Sequence, residues 1–367
     1  MILMNDFKAE PAELRERMLG AVQRVLESGW YVLGNEVSAF EKKWAGTCGV
    51  AYGVGVGNGM DAIEIALRAL NIGPGDEVIT TSMTAFATVL AILRAGATPV
   101  LADIDPQTAL LSIESVGRCI SAKTKAVILV HLYGQVRAMD AWLDFCAKRG
   151  ISLIEDCAQA HLATWQGKVA GSFGAAGAYS FYPTKNLGAP GDAGIIVTND
   201  EVLAQRAQRL RNYGQSVRYY HPELGMNSRM DEIHAAMLTE RMQWLAEFTE
   251  RRHQIAEKYR DGINNPLVQL LALPEERQAH VHHLFVIACE RRDKLQAHLQ
   301  NHGVQSLIHY PVPVHEQEPC RNLLRDPKGL RNSELHAARC LSLPCHPQMT
   351  DKDIISVIAA VNSFLGT

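Results

Sequence analysis

Between residues 77 and 197 short apolar runs alternate with amphipathic segments, and few folds accept that alternation. Glu77-Val78-Ile79-Thr80, Thr98-Pro99-Val100-Leu101-Ala102, Ala126-Val127-Ile128-Leu129-Val130, Ser152-Leu153-Ile154, Gly177-Ala178-Tyr179-Ser180-Phe181 and Gly194-Ile195-Ile196-Val197 read as strands. Helical stripes lie around them: Ile63, Ala66, Leu67 and Leu70 mark one over 61–70, and others are expected near 87–95 and 139–149. Strands apolar on both sides and joined through helices predict a mainly parallel sheet covered on both faces. From 232 to 260 one long helical stretch leads to a strand at 283–289, a helix at 292–301 and a closing amphipathic helix at 351–364. The expected division is a large α/β domain over 1–240, then a linking helix and a smaller C-terminal α/β domain over 241–367.

Composition removes several functions. The 36 basic and 39 acidic residues leave a formal charge of -3, so no overall cationic field draws the chain to nucleic acid or to a membrane surface. No apolar run approaches the roughly 18 residues of a membrane span, and the start of the chain lacks a signal pattern, which predicts a cytoplasmic protein. The eight cysteines never occur as two-residue-spaced pairs and are expected to be buried, reduced thiols. The closest histidine cluster, His280, His282 and His283, adjoins the apolar run Leu284-Phe285-Val286-Ile287; polar strand-edge residues are expected there in preference to a metal site.

Three segments carry chemistry. Val54-Gly55-Val56-Gly57-Asn58-Gly59-Met60-Asp61-Ala62 passes from a strand through glycines into a helix, but its spacing does not match the dinucleotide fingerprint. The free N–H groups of Gly59 and Met60 would suit a single phosphate. A plain glycine turn with Asn58 as the helix cap explains the segment equally well. Asp156 follows an apolar strand, at the carboxyl end where α/β sheets bind ligands. Lys185 stands among aromatic and small residues in Phe181-Tyr182-Pro183-Thr184-Lys185-Asn186-Leu187-Gly188, where partial desolvation would lower its pKa and favour imine chemistry. Phosphate turn, acid and lysine occur in the order that pyridoxal phosphate requires: anchor, pyridinium partner and Schiff base.

With these segments in place the chain resembles the DegT/DnrJ/EryC1/StrS family of nucleotide-sugar aminotransferases. The likeness runs from about Gly29 to the C-terminus. It rests on Gly73-Pro74-Gly75-Asp76-Glu77-Val78, His131-Leu132-Tyr133-Gly134-Gln135, Glu155-Asp156-Cys157-Ala158-Gln159-Ala160-His161, the Lys185 segment, Asn227-Ser228-Arg229-Met230-Asp231-Glu232 and His309-Tyr310-Pro311-Val312-Pro313-Val314-His315. The resemblance implies an aspartate aminotransferase-like fold, that of fold type I enzymes, and pyridoxal 5'-phosphate as cofactor, cycling through pyridoxamine 5'-phosphate. It implies Lys185 as the Schiff-base lysine, Asp156 facing the pyridine nitrogen and Gln159 near the ring hydroxyl. Ser180 and the N–H groups of Gly59 and Met60 would hold the phosphate, with Asn227 reaching it from the second subunit of a homodimer.

Two positions depart from the family's pattern. Asn58-Gly59-Met60 stands where many members have Ser-Gly-Thr, and Ala85 stands where a ring-stacking aromatic is usual. Phe86 is then either the substitute stacking residue or a core aromatic. The Gly-Met-Asp-Ala turn with His309-Tyr310-Pro311 resembles the branch that aminates the third carbon of dTDP-linked 3-keto-6-deoxyhexoses. His309, Tyr310 and His315 become candidate substrate contacts, or else the structural members of a proline-bracketed loop. The expected reaction moves an amino group from L-glutamate, leaving 2-oxoglutarate, to the keto group of such a sugar. A 4-keto substrate and a non-catalytic cofactor-binding regulator are the alternatives. Lys185 argues against the related dehydratases, which carry histidine at that place.

Overall fold

The computed structural model describes residues 1–366. Its strands are β1 (Tyr52–Val56), β2 (Glu77–Thr81), β3 (Thr98–Ala102), β4 (Thr124–Val130), β5 (Ser152–Asp156), β6 (Thr164–Trp165), β7 (Lys168–Val169), β8 (Ala176–Ser180), β9 (Gly194–Thr198), β10 (Gln269–Leu270), β11 (Phe285–Ala288), β12 (Leu324–Arg325) and β13 (Cys340–Leu343). The main sheet has the order β1-β9-β8-β5-β4-β2-β3-β12. β9 is antiparallel to both of its neighbours, and the other pairs are parallel. A mixed α/β fold with a mainly parallel sheet flanked by helices is therefore present, as the apolar runs predict.

Both faces of the sheet are buried because side chains alternate along each strand. Along β4, Val127 and Leu129 join one core with Trp44, Tyr179 and Phe181, while Ala126 and Ile128 join the other with Val54, Ile65 and Ile154. The helices that cover these faces are α1 (Ala12–Ser28), α2 (Asn35–Cys48), α3 (Gly59–Ala69), α4 (Phe86–Arg94), α5 (Ile113–Cys119), α6 (Met139–Ala147) and α7 (Glu201–Leu210). α8 (Glu232–Gly262) has 31 residues and, at 1.5 Å per residue, is about 46 Å long. It begins against α1 and α2 and ends with Ile255 and Tyr259 in a separate core.

That separate core is built on the antiparallel sheet β10-β11-β13 and on α9 (Arg292–Asn301) and α11 (Asp351–Asn362). Thr350 and Asp353 form a reciprocal capping box that starts α11. The division expected at 240/241 lies inside α8. Residues beyond it also return to the large sheet, where Leu324 and Arg325 pair with Val100 and Leu101 ahead of α10 (Arg331–Arg339). All eight cysteines are free and buried. No helix among the described residues is long and apolar enough to cross a membrane.

Candidate active site

The reversed strand β9 brings together the segments expected to hold an anion. Gly194, the first residue of β9, pairs with Ser180 at the end of β8 on one side and with Val56 at the end of β1 on the other. Ser180 and the turn after β1 therefore meet at the same edge of the sheet. They meet so closely that a Cβ on Gly59 would lie 2.6 Å from Ser180 Cβ, and one on Gly194 would lie 2.4 Å from the carbonyl of Asn58. Asn58 caps α3 by accepting from the N–H of Asp61 at 2.8 Å. Among the described residues no acceptor meets the N–H of Gly59 or Met60. Helix cap and anion cradle are thus compatible: Asn58 serves the helix, and two donors at the positive end of α3 stay available beside Ser180.

Asp156 ends β5 and is buried, with 6% exposure. Thr88 Oγ1 on α4 donates to its Oδ2 at 2.8 Å and the N–H of Ala158 donates to its Oδ1 at 3.1 Å, so the carboxylate is held by two elements. Thr84 Oγ1 lies 3.0 Å from Thr88 Oγ1 and extends this support. Lys185 follows β8 in a loop whose start is fixed by the Lys185 N–H donating to the carbonyl of Tyr182. Burial lowers its ammonium to about 8, and the field of Asp156 acts in the opposite direction. A substantial share of the amine is therefore neutral near pH 8, in the form that attacks a carbonyl.

Gln159, expected near the ring hydroxyl, and Tyr310, a candidate substrate contact, are hydrogen-bonded to each other. Gln159 is buried, accepts from the N–H of Tyr133 at 2.6 Å and donates from Nε2 to Tyr310 Oη at 3.2 Å. Burial, reinforced by Asp156, pushes the Tyr310 phenol up to about 12, so it remains a hydrogen-bond donor. His309 lies 2.9 Å through Nδ1 from Ser342 Oγ, and burial together with Lys185 lowers its imidazole to about 4. It stands as a neutral polar group. His315 is engaged at both nitrogens, by Ser82 Oγ at 2.6 Å and Glu334 Oε1 at 3.2 Å. It joins the proline loop to α10 and to the end of β2.

The remaining candidates separate. Phe86 is the first residue of α4, is 37% exposed and belongs to none of the buried clusters, so it is not a core aromatic. Asn227 is exposed, while its neighbour Ser228 donates to Asp61 Oδ2 at 2.7 Å and accepts from the N–H of Gly57 at 2.9 Å. The segment holding Asn227 is thereby tied to the anion turn of its own chain. Glu155 points away from Asp156 into the core, where it accepts from Gly171, Phe173 and Gly174 N–H groups and from His131 Nε2. His161 is enclosed by Trp44, Tyr179 and Phe181, and burial followed by Lys185 lowers it to about 3.

His280, His282 and His283 do not bring three ligand atoms together. The described groups that do are His131 with Glu155 and Cys157, already hydrogen-bonded to one another or to the backbone, and His315 with Glu316 and Glu334. Thr88 and Tyr133 are the site residues that motif reading overlooks. Thr88 carries no sequence signal beyond lying four residues after Thr84, and Tyr133 sits inside a quoted motif without a chemical role.

The model of the DegT/DnrJ/EryC1/StrS aminotransferase family matches residues 12–362. The dTDP-3-amino-3,6-dideoxy-alpha-D-galactopyranose transaminase of Aneurinibacillus thermoaerophilus is 42% identical over 364 residues, covering 99% of each chain. A pleiotropic regulatory protein of Geobacillus stearothermophilus is 40% identical over 363 residues, covering 98% of each. The crystal structure of S. venezuelae DesV in complex with a ketimine intermediate superposes with a TM-score of 0.95 at 41% identity, covering 98% of this chain and 97% of that one. The chain belongs to the DegT/DnrJ/EryC1/StrS aminotransferase family, whose cofactor is pyridoxal phosphate, and is an aminotransferase.

Proposed function

We propose that this enzyme transfers the amino group of L-glutamate to the keto carbon at position 3 of a dTDP-linked 6-deoxyhexose, as a cytoplasmic homodimer. The observation that carries the reading is the meeting, at one edge of the main sheet, of an unengaged N–H turn, a buried carboxylate and a half-buried lysine of lowered pKa. These residues fit pyridoxal phosphate. A side chain on Gly59 would fill the cradle beside Ser180, the Gly59 and Met60 N–H groups and Ser180 suit its phosphate, and Asp156 suits its ring nitrogen. Gln159 would adjoin the ring hydroxyl, and Phe86 would lie at the mouth.

When bound, the cofactor supplies an electron sink for the pair left as a proton departs from carbon. Asp156, oriented by Thr88 and Ala158, would keep the ring nitrogen protonated. Lys185 Nζ would hold the cofactor and, as a neutral amine, would take up and return the proton of the donor carbon. Glutamate would leave as 2-oxoglutarate, and for the sugar Lys185 would move the proton in the reverse sense. His309, Tyr310 and His315 lie on the loop that faces this step. His309 and Tyr310 offer the sugar neutral hydrogen-bonding groups, and His315 anchors the loop.

The third carbon is supported by the A. thermoaerophilus relative, whose named product carries nitrogen there. A homodimer with Asn227 completing the other subunit's phosphate site is supported by the exposure of Asn227 beside Tyr219, Tyr220 and Leu224, which are 77%, 73% and 91% exposed. Eight free, buried thiols suit a reducing compartment. The test is incubation of the holoenzyme and glutamate with dTDP- and UDP-linked 3-keto and 4-keto sugars, followed by product mass and the position of the new nitrogen. Amination at carbon 3 of a dTDP sugar is expected. Amination at carbon 4 overturns the regiochemistry, and glutamate turnover with no sugar aminated overturns the substrate class.

A further inference from the structure

Tyr133 lies where three parts of the chain meet, and its N–H and its hydroxyl point to different partners. It follows β4, the neighbour of the strand that carries Asp156, and its ring has no exposed surface. Its backbone occupies the left-handed region, at φ 62 and ψ 0, a conformation that a bulky side chain adopts only where its surroundings hold it. In that conformation the N–H donates to Gln159 Oε1 at 2.6 Å. The hydroxyl is 2.7 Å from the carbonyl oxygen of His309 and 2.9 Å from His336 Nε2 on α10.

The hydrogen-bond directions follow from the chemistry of these groups. A carbonyl has no proton to give, so the Tyr133 hydroxyl donates to His309. Its single proton is then spent, and His336 must donate from Nε2–H to the hydroxyl oxygen. Burial supports both forms: it lowers His336 to about 4, leaving a neutral ring with one N–H, and holds the Tyr133 phenol well above its ordinary value. The result is a directed chain from α10 through Tyr133 to the main chain of the 309–310 loop. A second branch runs from the Tyr133 N–H through Gln159 to Tyr310 Oη.

We propose that Tyr133 is a positioning residue that fixes the His309–Tyr310 loop relative to the cofactor site, coupling placement of the sugar to placement of the ring. The inference rests on the reading above that this loop faces the sugar. Tyr133 has no exposed surface and acts through its partners. Its N–H orients Gln159 and its hydroxyl orients His309, so one rigid side chain sets the separation of the two.

Tyr133→Phe removes only the hydroxyl and keeps the ring and the N–H. In the holoenzyme, amide hydrogen exchange of the segment 307–312 is expected to accelerate about 3- to 10-fold, the weight of one net hydrogen bond. KM for the keto sugar is expected to rise by about the same factor, while the rate at which glutamate bleaches the visible band changes less. His336→Leu, which removes the donor behind Tyr133, should move both quantities in the same direction and serves if the first variant does not fold. Unchanged exchange at 307–312 in a coloured variant overturns the proposal. Equal losses in the glutamate and sugar half-reactions also overturn it, because a general structural defect lowers both. If the unsubstituted enzyme bleaches with glutamate and no keto sugar restores the band, the substrate reading fails instead, and the exchange measurement still decides the role of Tyr133.

Discussion

Asp156 and Glu155 are adjacent acids at the end of one strand, and the alternation of side chains sends them to opposite faces. Asp156 meets Thr88, the N–H of Ala158 and the field of Lys185; Glu155 fills its oxygens with three backbone N–H groups and His131. Their substitutions should therefore separate. Asp156→Asn is expected to lower transamination by orders of magnitude while the melting temperature stays close to that of the parent. Glu155→Gln, which turns an NH2 toward donors, should cost about 1–3 kcal/mol of stability and leave the turnover of the folded fraction largely intact. Denaturant titration alongside steady-state rates distinguishes the two.

Lys185 adds a pH signature. Burial places its pKa at about 8, so the ammonium predominates below that pH and the reactive amine above it. Cofactor uptake by the apoenzyme, followed by its visible band, should quicken as pH rises toward 8 and level off above it. An exposed lysine would keep gaining rate to about 10.4. A rate still climbing at pH 10 would show that burial does not set the pKa.

The strand–turn–helix unit β1–α3 works because its glycines permit contacts that side chains would block. Gly59 abuts Ser180 and Gly194 abuts Asn58, so the anion turn is pressed against the ends of β8 and β9. Gly59→Ala must push either the turn or Ser180 aside, and overpacking of this kind costs about 1–3 kcal/mol. The expected result is a folded protein with its melting temperature slightly reduced and its cofactor affinity reduced more, measured by titration of the apoenzyme. Equal affinity for cofactor would remove Gly59 and Ser180 from the phosphate site. The sequence showed the glycines and their anion-binding potential, but the alternating spacing did not say which of them was required. That answer depends on β9 running backwards between β8 and β1, and no residue in those strands announces the pairing order.

Across the whole molecule the active site draws on the ends of the main-sheet strands and on the 309–310 loop and, in the proposed reading, on two subunits. If Asn227 completes the phosphate site of its partner, Lys185→Ala and Asn227→Ala place both lesions in the same site of a mixed dimer and leave the other site whole. Mixing and exchanging the two inactive proteins should then leave some dimers with one intact site and return up to about a quarter of the parent activity, by random-pairing symmetry. No recovery after demonstrated subunit exchange would place Asn227 in the site of its own chain. The apolar runs, their helical partners, Asp156 at a strand end and Lys185 among aromatics were legible in the residue order, because side-chain periodicity and local charge depend on near neighbours. Contacts between distant segments were not: Thr88 on Asp156 spans 68 positions, and Tyr133 on His309 spans 176. Local chemistry marked the reactive groups, whereas only the packing of the strands and of the separate core against the main sheet set their distances, because a hydrogen bond between remote residues leaves no periodic trace in the chain.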